Sequence, residues 1–110
     1  MTVDEAQAKF RALAQHEKAN ALIGIIWQST LTMRDISVYF PDDCQTRWRL
    51  AYHLSEMNHR FASVASAMMD GTNTFPDDDL MAILLDQSNY PELQGPCREA
   101  LVTVMNRRAR

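Results

Sequence analysis

The chain has 110 residues, 46% of them apolar and 23% charged, with 3 glycines, 4 prolines and 2 cysteines. That is the size of one domain, and the composition excludes a collagen-like, low-complexity or largely disordered chain. Eleven basic residues against 14 acidic ones leave a net charge of −3 and a pI near 5.5, which disfavours nucleic acid as a partner, since such binders carry a basic patch or a domain pI above about 9.

The first element is announced by Thr2-Val3-Asp4-Glu5, the spacing of a capping box with two acids at the positive end of a helix dipole. Phe10, Leu13, Ala14, Glu17 and Ala21 follow at three- and four-residue steps, with Lys9, Arg11 and Lys18 elsewhere on the wheel. This predicts a helix from residue 3 to at least 19. Its continuation through Gly24 to about Met33 stays open, because a mid-helix glycine costs about 1 kcal/mol relative to alanine and Ile23, Ile25 and Ile26 also suit a strand. Apolar residues nearly all round place this segment centrally in the core in either case.

Residues 34–43 read as a structured connector, with a short strand as the alternative: Ile36, Val38 and Phe40 alternate with Ser37 and Tyr39, and Pro41 pushes Phe40 toward extended geometry. Asp42 or Asp43 then caps a helix over 44–69. In it, Leu50, Leu54, Met57, Phe61, Val64 and Met68 step by 4, 3, 4, 3 and 4, a narrow apolar seam. Asp70-Gly71 closes it. That seam reads as intramolecular core, with a homodimer zipper as the alternative. Thr74-Phe75-Pro76-Asp77 starts a helix running to about Ser88. Asn89-Tyr90-Pro91-Glu92 breaks it, and Gly95-Pro96 opens a last helix with Ala100, Leu101, Val104 and Met105 inward and arginines at its end. The expected fold is all-α, a single-domain bundle of four to five helices over residues 1–110.

Nothing at the N-terminus resembles a secretory signal. The longest apolar run, Ala21 to Trp27, is seven residues, far short of the roughly 20 that span a bilayer. Cys44 and Cys97 lie 53 positions apart without a CxxC motif and read as reduced thiols. A cytoplasmic protein without a membrane partner is expected.

The richest polar stretch is His53 to Arg60. Glu56 and His59 have the E-x-x-H spacing that di-iron bundles use, but such sites need two of these motifs and further glutamates. Glu56, Asn58, His59 and Arg60 are better read as a structural polar cluster: Glu56 and Arg60 at i, i+4 would form a helical ion pair, with Asn58 and His59 hydrogen-bonding to a neighbouring element. A metal-binding protein or small enzyme using Glu56 and His59 is the alternative. Asp77, Asp78 and Asp79 suit a helix N-terminus. An EF-hand loop beginning at Asp70 fails, because Phe75 holds the glycine position and Met81 the last ligand position. The functional reading of the triplet is an acidic patch for a basic partner, helped by Asp42 and Asp43 and by Tyr39 as an aromatic anchor. No nucleophile motif and no phosphate-binding loop occurs, so no cofactor, metal or catalytic residue is assigned. The methionines on inner stripes read as core filler, and most aromatics are expected to pack against the bundle.

Leu54-Ser55-Glu56-Met57-Asn58-His59-Arg60, Phe75-Pro76-Asp77-Asp78 and Pro91-Glu92-Leu93-Gln94-Gly95, ahead of a final helix, together resemble small helical bacterial toxin-immunity proteins over the last two-thirds of the chain. The resemblance implies a cytosolic protein that neutralises a toxin by direct binding; these short motifs transfer no functional residue. The expectation is therefore a helical binding module, an inhibitor or immunity-type protein with a basic protein partner. A metal site at Glu56 and His59 is the alternative, and a helical DNA-binding regulator a second one.

Overall fold

A computed structural model describes residues 1–71 and 77–108, the side chains of residues 77–79 apart. Among the described residues five helices follow one another: α1 (Val3–Arg11), α2 (Gln15–Tyr39), α3 (Cys44–Met69), α4 (Asp77–Leu85) and α5 (Pro91–Arg108). No strand occurs among the described residues, and no helix there is long and apolar enough to cross a membrane. The accessible surface is 6526 Å², close to the roughly 6,200 Å² expected of a folded chain of this mass.

Helices α2 and α3 form a long αα-hairpin, the most extensive interface in the molecule. Helix α5 packs against α2 and also carries α1 and α4. One core results, in which Phe10, Leu22, Ile25, Leu50, Phe61 and Leu101 are fully buried. The α3 seam lies inside this core: Leu50, Leu54, Met57, Phe61 and Met68 are buried and Val64 packs against them. It is therefore the molecule's own interior and not a zipper face.

The predicted helix from 3 to 19 is divided. Helix α1 stops at Arg11, where the Ala12 N–H donates to the Ala8 carbonyl at 3.2 Å and the Leu13 N–H to the Phe10 carbonyl at 3.1 Å, and Ala14 is extended at φ −66° and ψ 159°. No glycine or proline marks the break. Its reason is tertiary: the turn lets α1 lie on α5 and bury Ala6 and Phe10 completely. Burying one phenylalanine stabilises by about 1.5–3 kcal/mol, which offsets the few helical hydrogen bonds forgone at about 1 kcal/mol each. Lys18, expected on an outer face, is 5% exposed. Glu17, expected inward, reaches Arg108 at 3.3 Å.

Beyond the break α2 is unbroken to Tyr39, so of the connector expected at 34–43 only residues 40–43 lie outside a helix, and the alternative strand does not form. Ser29, Thr30, Thr32 and Ser37 each donate their hydroxyl to the carbonyl four residues back, at 3.0, 3.0, 3.1 and 3.5 Å. Their polar groups are thereby satisfied within a helix. The alternation of Ile36 and Val38 is helical: Ile36 is buried and Val38 exposed. Helix geometry ends at Phe40 (φ −125°, ψ 57°), where Pro41 disfavours the α conformation. Gly24 sits inside α2 because a Cβ there would stand 3.2 and 3.3 Å from the two Val104 methyls. Glycine at this point lets α2 and α5 approach closely.

Helix α3 has the expected bounds. Asp43 caps it, its carboxylate accepting from the Thr46 N–H at 3.0 Å and the Thr46 hydroxyl at 2.6 Å. Gly71 follows its end at φ 72°. Helix α4 ends at Leu85, three residues before the expected Ser88, and the Thr74 cap lies outside the described residues. Helix α5 starts at Pro91, so Pro96 falls inside it rather than opening it. Pro91 in the first turn loses no hydrogen bond, whereas Pro96 leaves the Glu92 carbonyl without its intrahelical donor.

Candidate functional site

Helix α2 is apolar on both of its sides, yet only one is covered. Leu22, Ile25, Ser29 and Ile36 face the core. Ile23, Trp27, Leu31, Arg34 and Val38, at steps of 4, 4, 3 and 4, share the opposite face, and all five are exposed. Trp27 is 66% exposed and Val38 71%. The segment expected to lie centrally in the core is thus half surface. At about 1.5 Å per residue the row runs roughly 22 Å along the helix.

On its α5 side the row borders a groove of about 410 Å³ between the C-terminal half of α2 and α5, with Leu31, Tyr39 and Pro96 in its walls. Its charged lining is Asp35, Glu92 and Glu99 against one cation, Arg34. Arg34 stands 3.9 Å from Asp35, with both side chains largely in solvent. Glu92 is held at 2.6 Å by Arg49 from α3. Glu99 has no ion-pair partner among the described residues. Tyr39 forms the lip of the groove, 77% exposed. On its α3 side the row is bordered by the neutral Thr30 and Ser37, whose hydroxyls bond back into α2.

A second aromatic group lies on α3. Trp48 and Tyr52, 69% and 53% exposed, stack with ring centroids 5.3 Å apart and planes at 24°. Glu56 accepts a hydrogen bond from the Tyr52 hydroxyl, which raises the tyrosine's pKa. Aromatics expected to pack against the bundle are in these two places largely exposed.

The polar cluster expected at Glu56, Asn58, His59 and Arg60 does not assemble. Glu56 is taken by Tyr52, and no ion pair among the described residues joins it to Arg60. His59 and Arg60 are exposed. The Asn58 side-chain oxygen is buried without a hydrogen-bond partner. No group of three metal-ligating side chains comes together among the described residues, so Glu56 and His59 gather no third ligand there.

The polar network that does form is elsewhere. Gln87, 2% exposed, donates its amide to the carbonyls of Ile83 at 2.6 Å and Leu84 at 3.2 Å. Gln94 donates to Leu85 at 3.1 Å and accepts from the Gln87 N–H at 2.7 Å. Two side-chain amides thus cap the C-terminus of α4, whose last carbonyls would otherwise lack donors. With its amide nitrogen so engaged, the Gln87 oxygen faces His53 Nε2 at 2.8 Å, and His53 must be the donor there. His53 stacks on Tyr90 with centroids 3.8 Å apart, and Arg49 lies 5.4 Å from the centroid of the same ring. Inwardly this network ends on backbone carbonyls, so it locks the α4–α5 corner to α3.

Among the other residues read as partner-binding, Tyr39 lines the groove. Asp42 is exposed on the α2–α3 turn. Asp43 is occupied as the α3 cap, and its bonds to Thr46 lower its pKa. Asp77, Asp78 and Asp79 fall in the first turn of α4, and their side chains lie outside the described residues. Sequence reasoning missed Trp27, Leu31, Glu92 and Glu99. The available signal was the all-round apolar character of residues 21–27 with a tryptophan at its end, a pattern that one covered side cannot satisfy. Compared with family models, characterised proteins and solved structures, the chain finds no match in any of the three.

Proposed function

We propose that the protein is a small binding module that presents the outer face of α2 to a protein partner and acts by occupying that partner's surface, as an inhibitor or immunity-type protein does. The observation that carries this is the uncovered apolar row on α2, centred on Trp27 and Leu31. A helix apolar all round belongs in an interior, and contiguous apolar surface on a folded domain marks an interaction site. Exposed tryptophan and tyrosine are the side chains that anchor protein interfaces. The test is capture of partners from the protein's native cells with the tagged wild-type chain, Trp27→Glu and Trp48→Ala. A partner retained by the wild type and Trp48→Ala and lost by Trp27→Glu is the expected result. Equal capture by all three, or none by the wild type, overturns the reading.

A further inference from the structure

Resting on that reading, we infer that the element of the partner which seats on α2 is an amphipathic helix carrying lysine or arginine along one flank, its apolar side on the Trp27 row and its cations over the α2–α5 groove. The shape of the site selects a helix. A row about 22 Å long and one helix wide, about 10 Å, offers roughly 220 Å², well short of the about 800 Å² per partner that a stable dimer buries. A second copy of this chain is therefore a poor occupant, whereas a single helix laid along a helical face matches the row in length and width.

Charge then orients it. The two borders of the row differ: Thr30 and Ser37 line one, while Asp35 and Glu99 line the other, with Glu92 already neutralised by Arg49. Asp35 is only loosely held by Arg34, and Glu99 stands without a cation among the described residues. A helix with acids on its groove flank would set like charges side by side; one with cations there pairs them. Tyr39, at the lip of the same groove, offers a ring face on which a guanidinium or ammonium can rest. Arg34 stands within the row itself and disfavours a cation on the occupant's apolar side, which confines the basic residues to the flank.

The probes are two fluorescein-labelled helical peptides of about five turns, roughly 18 residues, with the same leucine face, one with a lysine flank and one with a glutamate flank. Their binding is followed by anisotropy against the full chain at low and moderate salt. The lysine peptide should bind about ten-fold more tightly than the glutamate peptide. Asp35→Asn with Glu99→Gln should bring the two within about three-fold, and Trp27→Ala should weaken both. Equal binding, preference for the glutamate peptide, or no binding of either up to about 1 mM overturns the inference. So does a lysine preference that the double variant leaves intact, since that would be attraction to the chain's net charge of −3 and not to the groove. If Trp27→Glu abolishes partner capture while the peptides fail to discriminate, the binding face stands and the basic flank falls.

Discussion

Gly24→Ala tests the closeness of α2 and α5, because two effects of opposite sign meet at one atom. Alanine in a helix interior is favoured over glycine by about 1 kcal/mol. The added Cβ would stand 3.2 and 3.3 Å from the methyls of Val104, tighter than van der Waals contact. Val104 is buried and β-branched, so it has one strongly preferred rotamer in its helix and cannot swing away. Overpacking of this kind costs about 1–3 kcal/mol, so the substitution alone should be neutral to destabilising by up to about 2 kcal/mol. In a Val104→Ala background the obstacle is gone, and the same change should stabilise by about 1 kcal/mol, worth about 4 °C in Tm for a chain of this length. Urea and thermal unfolding of the four members of the cycle give a coupling energy of about 1–3 kcal/mol. If Gly24→Ala stabilises equally in both backgrounds, the helices do not meet at this point.

Three further outcomes follow from the core, the network and the surface. Gln87→Ala strips two α4 carbonyls and His53 of their partners and should cost about 1–3 kcal/mol by urea denaturation, whereas Trp27→Ala should change stability by less than about 0.5 kcal/mol; a reversed order would sink the division between structural network and docking face. Phe61→Ala, in the middle of the α3 seam, should cost about 3–5 kcal/mol by the same measure, and a loss under about 1 kcal/mol would contradict its burial. Burial pushes the Cys97 thiol up from 9.0 to about 11, so the unfolded chain loses this proton first. The stability it contributes is fully present below about pH 9 and lost as pH rises toward about 11. In an aromatic disulfide assay at about pH 8, exposed Cys44 should react promptly and Cys97 only as urea unfolds the chain; prompt reaction of both would refute its burial.

The elements most legible in the sequence were those whose signals are local. Asp43, the 4-3-4-3-4 seam and Gly71 each act within a few residues, and they mark out α3 fully. The break at Ala12–Ala14 is decided by what α1 touches, which no local pattern encodes, whereas α5 starts at Pro91, a residue type that serves equally to end one helix and to open the next. Residues 34–43 read as a connector or short strand because Ile36, Val38 and Phe40 alternate with Ser37 and Tyr39 ahead of Pro41, yet α2 runs on to Tyr39 and the Ser37 hydroxyl bonds back to its own helix. The site was half legible. Tyr39 could be singled out as an exposed aromatic, but Glu92 and Glu99 become part of a groove only because α5 crosses α2. The polar cluster was misplaced for the same reason: i, i+4 spacing allows Glu56 to meet Arg60, yet Tyr52 is equally spaced on the other side and takes it, while His53 finds Gln87 across 34 residues.

Helix α1 owes its place to α5, and this sets an order of events during synthesis. Helix α1 is translated well before the α5 on which it rests, and Glu17 waits for Arg108 across 91 residues. At about 5–20 residues per second, the seat for Phe10 arrives roughly 5–20 s after Phe10 itself. The α2–α3 hairpin can zip in that interval from neighbouring contacts alone. Helix α1 must meanwhile travel with its phenylalanine bare, which leaves it open to a chaperone for the whole of that interval.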